Sequence, residues 1–403
     1  MLRLVTTTQD YAWGSPTAIP ELLGVAPGGV PVAELWLGAH PSAPSRAVNA
    51  SAGEPDGVPL DELVRRDPEA ALGRDVVARF GPTLPYLLKV LAADRPLSLQ
   101  VHPTLAQARA GYAAEEAAGI PVAAPHRNYR DRNHKPEMIF ALTPFEALCG
   151  FRGARRSVEL LSGLDAPLAR ELAVILRSRP ALEVIPAAVR RLLDEDQQPS
   201  PAEVDEVARA CAERLVQGSP FPAADRAVAV LAEAYPGDPG VVTSLLLNHV
   251  VLQPGEAMFV PAGAVHSYLR GLGIEIMASS DNVLRAGLTP KHMDIPELLA
   301  IIDYGAAPPM LISPERAYDA TEVFSAPVDD FGLSVTTVDD DDDEHTLPGR
   351  GPRILFCLDG DLKVRTTAGQ TQSLGRGGAV FVPAADGVVT IRGRGRAVQA
   401  DVP

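Results

Sequence analysis

Leu252-Gln253-Pro254-Gly255-Glu256-Ala257-Met258-Phe259-Val260-Pro261-Ala262 returns later in the chain as Leu374-Gly375-Arg376-Gly377-Gly378-Ala379-Val380-Phe381-Val382-Pro383-Ala384. Seven of the eleven positions are identical at a constant offset of 122. Each copy reads as strand, glycine turn, strand: an apolar residue enters a Gly-containing turn and a short run of β-formers leaves it. A unit of this kind that occurs twice implies two related β-domains. His266 closes the first copy, and the same offset places Val388 in the second. The second copy has lost the imidazole and reads as structural.

Upstream of the first copy the texture differs. From about residue 154 to 235, Ala, Leu, Arg and Glu dominate at helical spacing. Ser200-Pro201-Ala202-Glu203 carries an N-cap serine, a proline at the first helical position and a glutamate three residues after the cap. Val204, Val207, Ala208, Cys211 and Leu215 then fall on one apolar face. Before that region, short apolar runs broken by Pro and Gly read as strands, among them residues 34–39 and 84–91, with helices expected over 60–66 and 105–117. The chain is therefore mainly β with an α-helical insertion.

Composition sets outer limits. The 403 residues suggest about two to three domains. A net charge of −15 argues against nucleic acid, whose phosphates require basic surface. A local basic pocket for a small anion remains compatible with it. No apolar run reaches the roughly 18 residues of a membrane span, and the N-terminal stretch is too short and polar for a secretory signal. Three scattered cysteines point to a reducing compartment, so a soluble cytoplasmic protein is expected. A chain of this size is compatible with a monomer. Six consecutive acids, 339–344, read as a solvated, self-repelling loop.

Three distant segments offer one metal site: Ser98-Leu99-Gln100-Val101-His102-Pro103, His134-Lys135-Pro136-Glu137-Met138 and Val260-Pro261-Ala262-Gly263-Ala264-Val265-His266. Gln100 and His102 are two apart, so on a strand both point to one face. With Glu137 and His266 they supply two imidazoles, a carboxylate and an amide oxygen. Such a nitrogen and oxygen set suits zinc, which polarises a bound oxygen. Further on, an apolar strand holding Glu275 leads into Asp281, Arg285 and Lys291. These read either as ion pairs at a domain junction or as a general base with basic groups facing a phosphate.

Tyr11-Ala12-Trp13-Gly14, Glu34-Leu35-Trp36-Leu37-Gly38, Leu97-Ser98-Leu99-Gln100-Val101-His102-Pro103, His134-Lys135-Pro136-Glu137-Met138 and Ser280-Asp281-Asn282-Val283-Leu284-Arg285-Ala286-Gly287-Leu288-Thr289-Pro290-Lys291 together resemble the type I mannose-6-phosphate isomerases. The likeness runs in order from about residue 9 to 300. It implies a cupin-type jelly-roll catalytic domain over 1–152 and 241–305, a helical insertion over 153–240, and a second cupin-like β-domain over 306–403. It also implies one zinc ion per chain on Gln100, His102, Glu137 and His266, and a sugar phosphate as substrate. Arg285 matches the family's active-site arginine. Lys89, Ser98 and Lys291 match positions proposed to hold the phosphate, and Glu275, Lys135, His134 and Asp281 match acid–base or ring-opening candidates. The reaction implied is interconversion of mannose 6-phosphate and fructose 6-phosphate through a cis-enediolate. Two rivals share the scaffold: a non-catalytic sugar-phosphate sensor, which would not need a complete metal site beside a base, and a different cupin metalloenzyme, such as an iron oxygenase with a histidine-richer site.

Overall fold

The computed structural model describes residues 1–48, 57–178, 180, 182–317, 320–340 and 343–403. Among them the strands form two sheets of eleven strands each. The long strand His266–Ala278 is the spine of the first of them. Its first part pairs with Phe145–Phe151 and with Gln100. Its second part lies between Tyr86–Ala93 and Glu137–Ala141. Glu34–Gly38 pairs with the far side of Tyr86–Ala93. The first repeat copy appears here as strands Leu247–Leu252 and Ala257–Val260, the second as Thr371–Gly375 and Ala379–Val382 in the other sheet.

The alternation of these strands creates the site. Tyr86, Leu88, Val90, Met138, Phe140, Ile274 and Ile276 enter a core shared with Phe324, Phe356 and Phe381 of the second sheet and with Phe331, just before its strand Gly332–Val338. Burying each such Phe contributes roughly 1.5–3 kcal/mol. The intervening positions face the opposite way, because successive side chains of a strand alternate. They include Lys89, Glu137 and Glu275, all buried, and the register pairs Lys89 directly with Glu275 and Met277 with Glu137. With both faces covered, the strands read as nearly unbroken apolar runs, and three charged residues stand out in them.

The insertion consists of helices including Pro167–Ser178, Pro201–Val216 and Pro222–Ala234, whose apolar faces share one core. Ser200 accepts from the Glu203 N–H, and the Glu203 side chain accepts from the Ser200 N–H, so both halves of the capping box form. Leu2–Val5, at the chain start, pairs with Ala379–Val382 and joins the second sheet. Of the acidic run, the described Asp339, Asp340, Asp343 and Glu344 are exposed; residues 341 and 342 lie outside the described residues. The three cysteines are buried and free. No helix among the described residues is long and apolar enough to cross a membrane.

Candidate functional site

His102, Glu137 and His266 come together in the interior, all three buried, with one candidate ligand atom of each lying within 4.8 Å of the others. His102 Nδ1 lies 2.8 Å from the Asn282 carbonyl and His266 Nδ1 3.0 Å from the Ala264 carbonyl. A carbonyl only accepts, so both rings carry their proton on Nδ1 and turn the Nε2 lone pair inward. Those Nε2 atoms lie 3.2 Å and 3.4 Å from the two Glu137 oxygens. His102 Nε2 is buried with no hydrogen-bond partner among the described residues. A buried lone pair left without a donor, beside a carboxylate and a second lone pair, fits a divalent cation. Gln100 stands opposite His266 in the strand register, and its Nε2 donates to Ser98 Oγ at 3.4 Å. That leaves its Oε1 as the atom available to an ion. The cluster of two imidazoles and a carboxylate therefore gains an amide neighbour from the strand paired with His266.

The electrostatics agree. Burial, aided by Lys135, pushes His102 down to about 4, which keeps the imidazole neutral. Burial alone would raise Glu137; Lys135, 3.0 Å away, and His102 override it and hold the carboxyl well below its usual range. Because folded His102 titrates near 4 against 6.5 for the free group, its contribution to stability is present above about 6.5 and is lost as pH falls through about 4. Glu275, raised by burial, acts in the opposite sense, so the metal-free protein is best compared with its His102→Gln variant. The difference in their unfolding free energy, from urea titrations, should shrink over that pH interval; a constant difference contradicts the assignment.

Beside the histidines, Lys89 Nζ lies 3.1 Å from Glu275 Oε2 and 3.7 Å from Glu34 Oε1, 5.1 Å above the Trp36 ring centre. Trp36 Nε1 donates to Glu34 at 2.7 Å. Burial would lower Lys89, but Glu34 and Glu275 reverse this and hold it above its ordinary value. Glu275 is raised, chiefly by burial and against the pull of Lys89. Glu34, Lys89 and Glu275 line a chamber of about 50 Å³ with Gln100, Glu137 and His266. The chamber shares walls with a cleft of about 580 Å³ that opens to solvent past Ser98, Lys135, Asp281, Arg285 and Lys291.

Nearly all the residues expected from the sequence thus surround one cavity. Two do not line it: His102, which joins Glu137 and His266 in the buried cluster, and His134, whose Nε2 lies 3.0 Å from Asp330 Oδ2, on the side of the second sheet. Sequence reasoning missed Arg130, His40 and Asn282. Arg130 lines the cleft and, after burial, is the charge that depresses Arg285; Lys291 is depressed by burial, then by Arg285 and Arg130. None of these three cations is ion-paired with a carboxylate among the described residues, so the cleft carries a cluster of unneutralised positive charge suited to an anion. His40 lines the same wall, 3.5 Å from Asp281 Oδ1, and stands two residues after the strand Glu34–Gly38. Asn282 orients His102 with its carbonyl, while its side chain accepts from the Arg130 N–H and donates to the Asp131 and Asn133 carbonyls.

Comparison with known proteins places this geometry in context. Residues 1–154 match the family described as phosphomannose isomerase type I, catalytic domain, and residues 323–368 its type I C-terminal region. Mannose-6-phosphate isomerase of Escherichia coli (strain K12) is 41% identical over 401 residues, covering 98% of each chain. The enzyme of that name from Homo sapiens is 30% identical over 410 residues, covering 96% of this chain and 94% of its own. Among solved structures, a phosphomannose isomerase variant from Salmonella typhimurium superposes with a TM-score of 0.89 at 38% identity, covering 100% of this chain and 99% of that one. A zinc-bound mannose 6-phosphate isomerase gives 0.88 at 39% identity with the same coverage.

Proposed function

The chain belongs to the type I phosphomannose isomerases and is an aldose–ketose isomerase of mannose 6-phosphate; on that premise we propose that it works with one zinc ion per chain through a cis-enediolate. The single observation that carries the zinc assignment is the inward-facing, unpartnered Nε2 of His102 beside Glu137 and His266. Gln100, His102, Glu137 and His266 would hold the ion. When bound, it supplies a Lewis acid that polarises the substrate oxygens on which negative charge develops.

The chain's own groups do the rest. Arg130, Arg285 and Lys291 receive the phosphate, with Ser98 on the same wall. Asp281 and Lys135, which line the cleft, serve ring opening by exchanging protons with the ring and anomeric oxygens. Glu275 takes the proton from C2 and returns it at C1; burial raises its carboxyl toward the neutral range in which a general base is most effective. Lys89 holds that carboxylate in place. This departs from the phosphate role expected for Lys89, because the ammonium lies between two buried carboxylates. His134, outside the cavity, is given no contact with the substrate. Three buried free thiols suit a reducing cytoplasm.

Isomerisation in deuterated water tests the proton-transfer route. Some deuterium should enter C1 of fructose 6-phosphate and C2 of mannose 6-phosphate, to the extent that the proton held on Glu275 exchanges with solvent before its return; retention that stays complete however slow the turnover is made would point to a hydride shift and overturn the enediolate. Arg285→Ala should weaken substrate binding and turnover together, with kcat/KM falling about 10²-fold, as expected for losing roughly 3 kcal/mol of a charge-assisted contact. Its melting temperature should barely move. Unchanged kinetics would return Arg285 to a purely structural role.

A further inference from the structure

We propose that Asp330, from the second sheet's side of the molecule, is a positioning residue for the isomerase site, acting through His134. The observation is a contact across 196 residues of sequence: His134 Nε2 lies 3.1 Å and 3.0 Å from the two Asp330 oxygens. Asp330 sits in the connection between strands Thr321–Phe324 and Gly332–Val338, and its side chain is only 6% exposed. A carboxylate so buried is costly unless a donor meets it, so the position of its partner is tightly constrained. Among the described residues, the donor that meets it is His134.

What His134 carries explains why this matters. It lies in the segment 129–136, which leads directly into Glu137. The inner side of that segment is tied to the loop after the spine strand. The Asp131 carboxylate accepts from Ser280 Oγ at 2.9 Å and from the Asp281 N–H at 2.7 Å. Asn282 Nδ2 donates to the Asp131 and Asn133 carbonyls at 2.9 Å and 2.8 Å. The outer side is tied by His134. The next residue, Lys135, points the other way and places Nζ 3.0 Å from Glu137 Oε1. His134 and Lys135 are thus adjacent residues anchored on opposite sides, one to a buried carboxylate near the second sheet and one to the candidate metal ligand. Releasing the outer anchor lets the backbone at His134 drift, and Lys135 and Asp281 drift with it. A displacement of about an ångström in such groups is enough to depress turnover steeply. The second sheet, whose own repeat copy lacks the imidazole, would in this way contribute a side chain to catalysis.

The inference rests on the proposed roles of Lys135 and Glu137, and its test is separable from theirs. Wild-type protein with no activity on mannose 6-phosphate would sink that reading before any variant is compared. Given activity, Asp330→Ala, Asp330→Asn, His134→Ala and the double alanine variant are assayed for kcat, KM and zinc content. Asp330→Ala and His134→Ala should each lower kcat by about tenfold with KM within about twofold and zinc retained. Asp330→Asn, which keeps an acceptor oxygen for His134 Nε2–H, should recover most of the loss. The double variant should be no slower than either single one, because both remove the same tether. Multiplying losses in the double variant, or wild-type kcat in Asp330→Ala, would overturn the proposal. So would a His134→Ala loss far exceeding that of Asp330→Ala, which would make His134 a proton carrier in its own right. Should Asp330→Ala fail to fold, His134→Ala decides alone: wild-type kcat in that variant overturns the tether.

Discussion

His266→Ala is expected to lose zinc and to turn over mannose 6-phosphate about 10³-fold more slowly than the parent protein. The size follows from the several kcal/mol that a Lewis acid contributes to a developing enediolate, at about 1.4 kcal/mol per factor of ten. Folding should suffer far less. His266 gives up one hydrogen bond, from Nδ1–H to the Ala264 carbonyl, worth about 1 kcal/mol, and the strand His266–Ala278 keeps its pairing with four neighbouring segments. Metal analysis, circular dichroism and a saturating rate assay on one preparation separate the two effects. Retention of a full equivalent of zinc would remove His266 from the ligand set.

The second large effect is expected at Lys89. Replacing it by methionine keeps the stem but leaves Glu34 and Glu275 facing each other in a buried chamber without their cation. Removing one partner of a buried ion pair costs about 3–5 kcal/mol. Part of that cost is avoidable by protonating Glu275, already raised by burial. A folded carboxyl raised above its unfolded value takes up its proton at higher pH, so the variant's deficit should be greatest at neutral pH and shrink as the pH is lowered. Activity at neutral pH should fall by about 10²–10⁴, since a protonated Glu275 is no base. The double variant Lys89→Met/Glu275→Gln should regain stability and stay inactive. A double variant as unstable as Lys89→Met would place the strain elsewhere.

Much of this was legible in the residues because it is local. The capping box at Ser200 and Glu203 needs only four consecutive residues, and it forms as read. Gln100 and His102 declare a shared face by their spacing, and charged residues inside apolar strands, such as Lys89, Glu137 and Glu275, mark the inward face by interrupting it. What stayed hidden depends on pairings that leave no periodic trace. Leu2–Val5 carries nothing to say that it completes a sheet with Ala379–Val382. Arg130 looks like any surface arginine until the Asn282 side chain takes its backbone N–H and brings it beside Arg285. His40 lies just beyond a recognisable strand, yet its role as a wall of the cleft depends on meeting Asp281 across 241 residues of chain. His134 was visible as a polar neighbour of Glu137, but its direction is set by Asp330, which no local pattern announces.

The most direct test follows zinc content and isomerase turnover together in the unmodified protein, through chelation and then stepwise return of zinc. One equivalent of zinc per chain at the outset is expected, with both quantities falling together to near zero and recovering in proportion as the equivalent is restored. Full turnover of mannose 6-phosphate in protein stripped of metal would contradict the account.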